Sequence, residues 1–297
     1  MTMKVNRLIC VTLSALIAIG LASCGPSSSN KEKDSPEFNQ SDSLQGQIED
    51  LIENMPSPTE IPYMLQITGA EFNEGLINPR TKADQYASIT NKAALNLGVY
   101  AADIGYLVSY DKTQEAIDYL NSAKTLADGL GVIGSFDLDV LNQFEKNISN
   151  KDSLTRLLDR TVKKTEDYLQ DDNRNKLSAM IVTGSFIEGL YISTGLVKTY
   201  PKDLLPDDAK NLILSPLIRV VLDQKKSVSE LLKMLGAIEQ VDPVTTIVAD
   251  LKALEAQYAA LNIEEQIRNN KANLVLSDKN LVEITNIVEK IRKNITD

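Results

Sequence analysis

Two stretches of this chain, residues 83–110 and 176–200, read as helices that are apolar on nearly every side. Their apolar residues recur at spacings of three and four, and a helix without a polar face must be covered by other chain all round. No other feature constrains the fold as strongly. Small residues punctuate both stretches: Ala94, Gly98 and Ala102 lie four apart on the first, and Gly184, Gly189 and Gly195 dot the second. A glycine inside a helix costs up to about 1 kcal/mol relative to alanine. Such positions are therefore expected where two backbones approach closely. The architecture that follows is all-α, an irregular multi-helix bundle with two central apolar helices in contact and amphipathic helices wrapped around them.

Each central stretch carries one acid within its apolar run, Asp103 in Tyr-Ala-Ala-Asp-Ile-Gly-Tyr and Glu188 in Ser-Phe-Ile-Glu-Gly-Leu-Tyr. A carboxylate in a dry core is costly unless it is paired or hydrogen-bonded, and burial raises its pKa. Asp103 and Glu188 are therefore the candidate ligand-binding residues, with Tyr100, Tyr106 and Tyr191 as neighbours that would line a pocket between the core helices. The competing expectation is structural: each acid satisfies a tyrosine hydroxyl, an arginine or a helix end. In both, Asn-Lys (Asn91-Lys92 and Asn175-Lys176) stands about a dozen residues before the acid and Gly and Tyr follow soon after it, a pattern consistent with a degenerate internal duplication. Residues 176–197 are also long enough to cross a bilayer, but a mid-span acid and the glycine content favour a core helix.

Amphipathic helices are expected over 44–54 and 61–76. Further ones are expected over 113–128, opened by a capping box at Asp111-Lys-Thr-Gln114, and over 136–146 and 153–169. Pro206-Asp207-Asp208 starts another, which Pro216 should break or kink before it resumes through 221–235. A soft boundary falls near 237–242. Asp242-Pro243 then opens a helix with Val244, Ile247, Leu251, Leu254, Tyr258 and Leu261 on one face, and Ser277 opens the last, with Leu281, Ile284, Val288, Ile291 and Ile295 in a stripe. Such a pair is expected to pack antiparallel on the body, and the alternative use of the last helix is a protein-partner surface. Lys290, Arg292 and Lys293 stand near its C-terminus, where cations suit the helix dipole.

The N-terminus reads differently. Lys4 and Arg7 precede a 14-residue apolar run, Leu8–Leu21, which is short for a membrane span, and small residues then lead to Cys24. Leu21-Ala22-Ser23-Cys24 resembles the lipobox of bacterial lipoproteins. That resemblance covers only the first two dozen residues. It implies a signal peptide over 1–23, acylation of Cys24, and membrane attachment through that lipid. Two acyl signals suffice for stable anchoring. Residues 24–43 would then form a flexible tether with a reach of roughly 25 Å, ahead of an all-helical domain over 44–297. Gly25 after the cysteine, where Asp would suggest inner-membrane retention, implies the outer membrane, on its periplasmic face or the cell surface. The body as a whole resembles the all-helical envelope lipoproteins of Gram-negative bacteria.

Composition narrows the chemistry. The chain has no histidine, no tryptophan and two cysteines, Cys10 and Cys24. Processing at Cys24 would leave a body without thiol, disulfide or imidazole. That argues against Ser-His-Asp and Cys-His catalysis, His/Cys zinc sites and the usual haem ligands. It would also remove two of 31 basic residues and none of 41 acidic ones, giving a net charge of −12, which is unsuited to nucleic acid or a polybasic lipid patch. Asp171–Asn175 matches the start of an EF-hand loop, but Lys176 and Val182 stand where Gly and Glu are needed. Gly184 and Glu188 resemble part of the Gly-x-His-x-x-Glu motif of imelysin-like helical envelope proteins. The histidine is missing and the spacing is one residue short, so no iron role carries over. The reading is a non-enzymatic, lipid-anchored binding or scaffold component without cofactor, metal or nucleic-acid partner. The alternatives are a helical solute-binding lipoprotein with its pocket at Asp103 and Glu188, and a hydrolase or transferase using those carboxylates as acid and base.

Overall fold

In the computed structural model, residues 43–54, 60–67, 69–132, 174–199, 207–261 and 279–297 are described, with isolated positions from 143 to 160. Among these residues there are nine α-helices and no strand: α1 Leu44–Asn54, α2 Glu60–Ile67, α3 Ala83–Ala87, α4 Thr90–Ser109, α5 Thr113–Gly129, α6 Asn175–Thr199, α7 Asp207–Gly236, α8 Val244–Ala260 and α9 Lys279–Thr296. The fold is all-α, as expected. Cys24, the tether up to residue 42, residues 171–173 of the Asp171 turn, the Ser277 cap and the helices expected over 136–146 and 153–169 lie outside the described residues, apart from Gln143 and Lys146 in the first of those helices and scattered positions in the second.

The two apolar stretches form the centre. The contact between α4 and α6 is the most extensive of any helix pair, and most positions of each are buried. Glycine brings the backbones together at the point of closest approach. A Cβ added to Gly98 would lie 1.9 Å from the Ile181 carbonyl oxygen, and one added to Gly184 would lie 1.9 Å from that of Leu95. The other two glycines noted on the second stretch do different work. Gly189 faces open space, and Gly195 accommodates the Leu76 side chain rather than α4. α6 has the length and a mean hydropathy of 1.4 that would suit a membrane span, but 78% of that window is buried inside the protein, so it serves as a core helix.

Amphipathic helices cover this pair. α5 lies on α4, while α1, α7 and α9 contact α6, and α8 packs on α7 and α9. The stripe Val244, Ile247, Leu251, Leu254 and Tyr258 of α8 is buried, as is the stripe Leu281, Ile284, Val288, Ile291 and Ile295 of α9. The apolar face of the last helix is thus used within the chain. Tyr258 also donates its hydroxyl proton to the Val221 carbonyl of α7 at 2.9 Å.

Several boundaries differ from the sequence expectation. The helix expected over 61–76 ends at Ile67, because Gly69 takes a left-handed φ of 86° and the chain re-enters only as a 3-10 turn at Glu74–Leu76. The first central stretch is interrupted at Ser88-Ile89, where Ile89 is extended (φ −125°, ψ 108°), giving α3 and α4 in place of one helix. Asp111 does not act as an N-cap. It occupies the left-handed region (φ 58°), and Lys112 precedes α5 without a side-chain cap. α7 continues as one helix across Pro216, so the expected break does not occur.

Candidate functional site

Glu188 projects from the middle of α6 and is fully buried. Its partner is Arg292 of α9, which donates Nε–H to Oε2 and Nη2–H to Oε1, both at 3.1 Å. This is the bidentate fork that suits a guanidinium to a carboxylate. The Arg292 side chain is 15% exposed, and its guanidinium lies 4.7 Å above the Tyr191 ring, so one face stacks on an aromatic while its edge holds the acid.

Asp103 of α4 is also fully buried. Its Oδ2 accepts the backbone N–H of Asn78 at 3.1 Å. Its Oδ1 is enclosed with no N–H donor, and its carboxyl faces that of Glu188. Burial first, and then the Glu188 charge, hold Asp103 well above the usual carboxylate range. Burial also raises Glu188, opposed by Arg292. Burial works against the charge on Arg292, but the two acids outweigh it and drive its pKa further up.

Asn78 extends the cluster. Its side-chain amide donates to the Tyr86 hydroxyl and to Asn96 Oδ1, both at 3.3 Å. Tyr86 donates its hydroxyl proton to the Thr296 carbonyl at 2.7 Å, and Asn96 donates to the Ile295 carbonyl at 3.0 Å. Lys82 Nζ reaches the Thr296 carbonyl at 2.9 Å. The end of a helix leaves carbonyls without intrahelical donors. Here three side chains from α3, α4 and the turn before α3 satisfy those of α9.

The three tyrosines singled out with the acids separate. Tyr191 joins the cluster through Arg292. Tyr100 is buried beside Asp103, but its hydroxyl donates to the Pro79 carbonyl at 3.1 Å. Tyr106 belongs to a different group: it stacks on Phe72 at 5.2 Å between ring centres, its hydroxyl accepts the Asn73 N–H at 2.8 Å, and burial pushes it up to about 12. A cleft of about 250 Å³ lies elsewhere, between α6, α7 and α9, lined by residues that include Thr194, Val197, Lys198, Val221 and Leu281 and by neither acid.

Arg292, Asn78, Tyr86 and Asn96 were not singled out as site residues in the sequence. Arg292 did carry a signal: it falls four residues after Val288, at the edge of the buried stripe of α9. Asn78 sits in the connecting turn with no periodicity to mark it. Comparison of the chain with protein-family models, with characterised proteins and with solved structures finds no match.

Proposed function

We propose that this protein is a lipid-anchored component of the bacterial envelope, held to the outer membrane through Cys24, whose helical body acts as a binding or scaffold element and not as an enzyme. The observation that carries this reading is the closure of the acid pair. Both carboxylates are fully buried, and the space beside Glu188 where a ligand cation would sit is taken by Arg292. A catalytic acid and base must be within reach of a substrate, and both of these carboxyls are sealed from the surface. The lipobox supports the anchor, and the chain's lack of histidine supports a non-catalytic body.

The test is fractionation of cells expressing the native chain or Cys24→Ser, with mass spectrometry of the mature N-terminal peptide. The reading requires an acylated Cys24 and wild-type protein in the outer-membrane fraction, with the variant lost from it. An unmodified thiol on a membrane-free protein overturns it. For the scaffold role, in-cell cross-linking should give the same defined complexes for the wild type and for a Glu188→Gln, Arg292→Met double variant. Loss of a small-molecule ligand in the double variant would instead mark the pair as a binding site.

A further inference from the structure

We propose that Asp103 and Glu188 together hold a single proton, carried on Asp103 Oδ1 and donated to Glu188, and that this proton keeps the end of α9 docked as a pH-sensitive latch. The inference concerns the folded body and does not rest on the lipid anchor.

Two carboxylates share one dry volume with one guanidinium. Arg292 spends both of its forked donors on Glu188. Asp103 receives one backbone N–H on Oδ2, and its Oδ1 is sealed in without an N–H donor. If both acids were ionised, the core would carry a net negative charge and an unpartnered carboxylate oxygen, each of them costly. One proton on Oδ1 removes both defects. The core becomes neutral, and Asp103 gains a hydrogen bond to Glu188. The other titratable groups facing the pair are Tyr86 from α3, Tyr100 from α4, Tyr119 from α5 and Tyr191 from α6. Burial raises all four phenols, so they stay neutral while the carboxyl pair titrates, and Arg292 is the cation that acts on both acids.

The same proton is connected to α9 by two routes. Glu188 holds Arg292 directly. Asp103 holds the Asn78 backbone, whose side chain orients Tyr86 and Asn96 toward the Thr296 and Ile295 carbonyls. When the proton passes to bulk base, the repulsion between the two carboxylates acts on both routes.

Linkage fixes the sign. The folded state holds this proton above the pH at which an unfolded Asp releases it, so the native chain binds more protons across that interval. The stabilisation is complete below the unfolded pKa and is lost as pH rises through the folded one, at about tenfold in the folding constant per pH unit for one proton.

Asp103→Asn provides the test, because its amide donates to Glu188 and accepts from Asn78 as the protonated acid does, yet cannot titrate. Folding constants from urea titrations, and amide protection of α9 by hydrogen exchange, are followed from the carboxylate range to mildly alkaline pH. Relative to the variant, the wild type should lose stability at up to tenfold per pH unit, and protection at Ile291–Thr296 should fall only in the wild type. Parallel profiles overturn the proposal. If Asp103→Asn does not fold, infrared spectra of wild type carrying ¹³C-labelled aspartate decide the matter. An isotope-shifted carboxylic-acid carbonyl band at neutral pH that disappears on alkalinisation supports the single proton, and its absence at neutral pH refutes it.

Discussion

The crossing of α4 and α6 can be tested with one atom at a time. Substituting Gly98→Ala places a methyl carbon 1.9 Å from the Ile181 carbonyl oxygen and 2.6 Å from the Ser185 nitrogen. Both obstacles are backbone, so no rotamer change makes room. To reach van der Waals distance the helices must separate locally by about 1.5 Å. Gly184→Ala meets the Leu95 backbone in the same way. Overpacking of a rigid contact costs about 1–3 kcal/mol, with backbone against backbone at the upper end. Helix propensity works the other way, favouring alanine by up to about 1 kcal/mol. The net expectation for either variant is a loss of about 2 kcal/mol, or more if the separation spreads along the pair. In a body of this size that lowers the melting temperature by roughly 4–8 °C. Gly189→Ala, on the same helix, is the internal control. Nothing lies within 4 Å of its Cβ, so only the propensity gain applies and the melting temperature should rise slightly. Urea and thermal denaturation of the three single variants, followed by circular dichroism, measure the contrast. If Gly98→Ala and Gly184→Ala prove as stable as Gly189→Ala, the helices do not meet through these glycines and the reasoning fails.

Two further substitutions bear on the polar core. Arg292→Met leaves Glu188 buried without its countercharge, which costs about 3–5 kcal/mol, whereas adding Glu188→Gln should recover a large part of that loss in urea denaturation. A double variant no more stable than Arg292→Met would show that the guanidinium contributes by packing and not by neutralising the acid. Deletion of residues 279–297 removes the buried stripe of α9 together with Arg292. Size-exclusion chromatography and circular dichroism should then report an unfolded or aggregated chain, and a folded, monomeric truncation would show that α9 is dispensable.

The central helices were legible because a run without a polar face admits few alternatives, and Gly98 and Gly184 were legible as the places where backbones touch. Gly189 and Gly195 looked the same in the sequence, since a small residue records neither which neighbour approaches nor whether one does. The break at Ile89 was not legible: a β-branched residue in an apolar run gives no stop signal, and tertiary packing decides the local conformation. Asp111 fits a capping box by spelling, but its backbone turns left-handed, and an N-cap needs extended dihedrals. Of the polar core, the two acids were visible as anomalies against their apolar surroundings. Their partners were not, because an arginine near a helix C-terminus already has an ordinary explanation in the helix dipole, and Asn78 lies in a turn.

These features are not independent. Gly98 and Asp103 are separated by a little over one turn of α4, and Gly184 and Glu188 by a little over one turn of α6. With the two backbones in contact at the glycines and both acids lying C-terminal to that point, close approach carries the carboxyls into the same dehydrated space. The tight crossing therefore creates the electrostatic problem that Arg292 and the Asp103 proton resolve. A wider crossing would let water reach the acids and make both unnecessary. It follows that Gly98→Ala should do more than lower stability. By parting α4 from α6 it should hydrate Asp103 and bring its pKa back toward the ordinary carboxylate range, so that the variant's stability depends less on pH than the wild type's. Stability measured against pH for Gly98→Ala alongside Asp103→Asn distinguishes the two effects. The glycine variant should be less stable throughout with a flattened profile, and a full wild-type slope in it would mean that the acid pair owes nothing to the crossing.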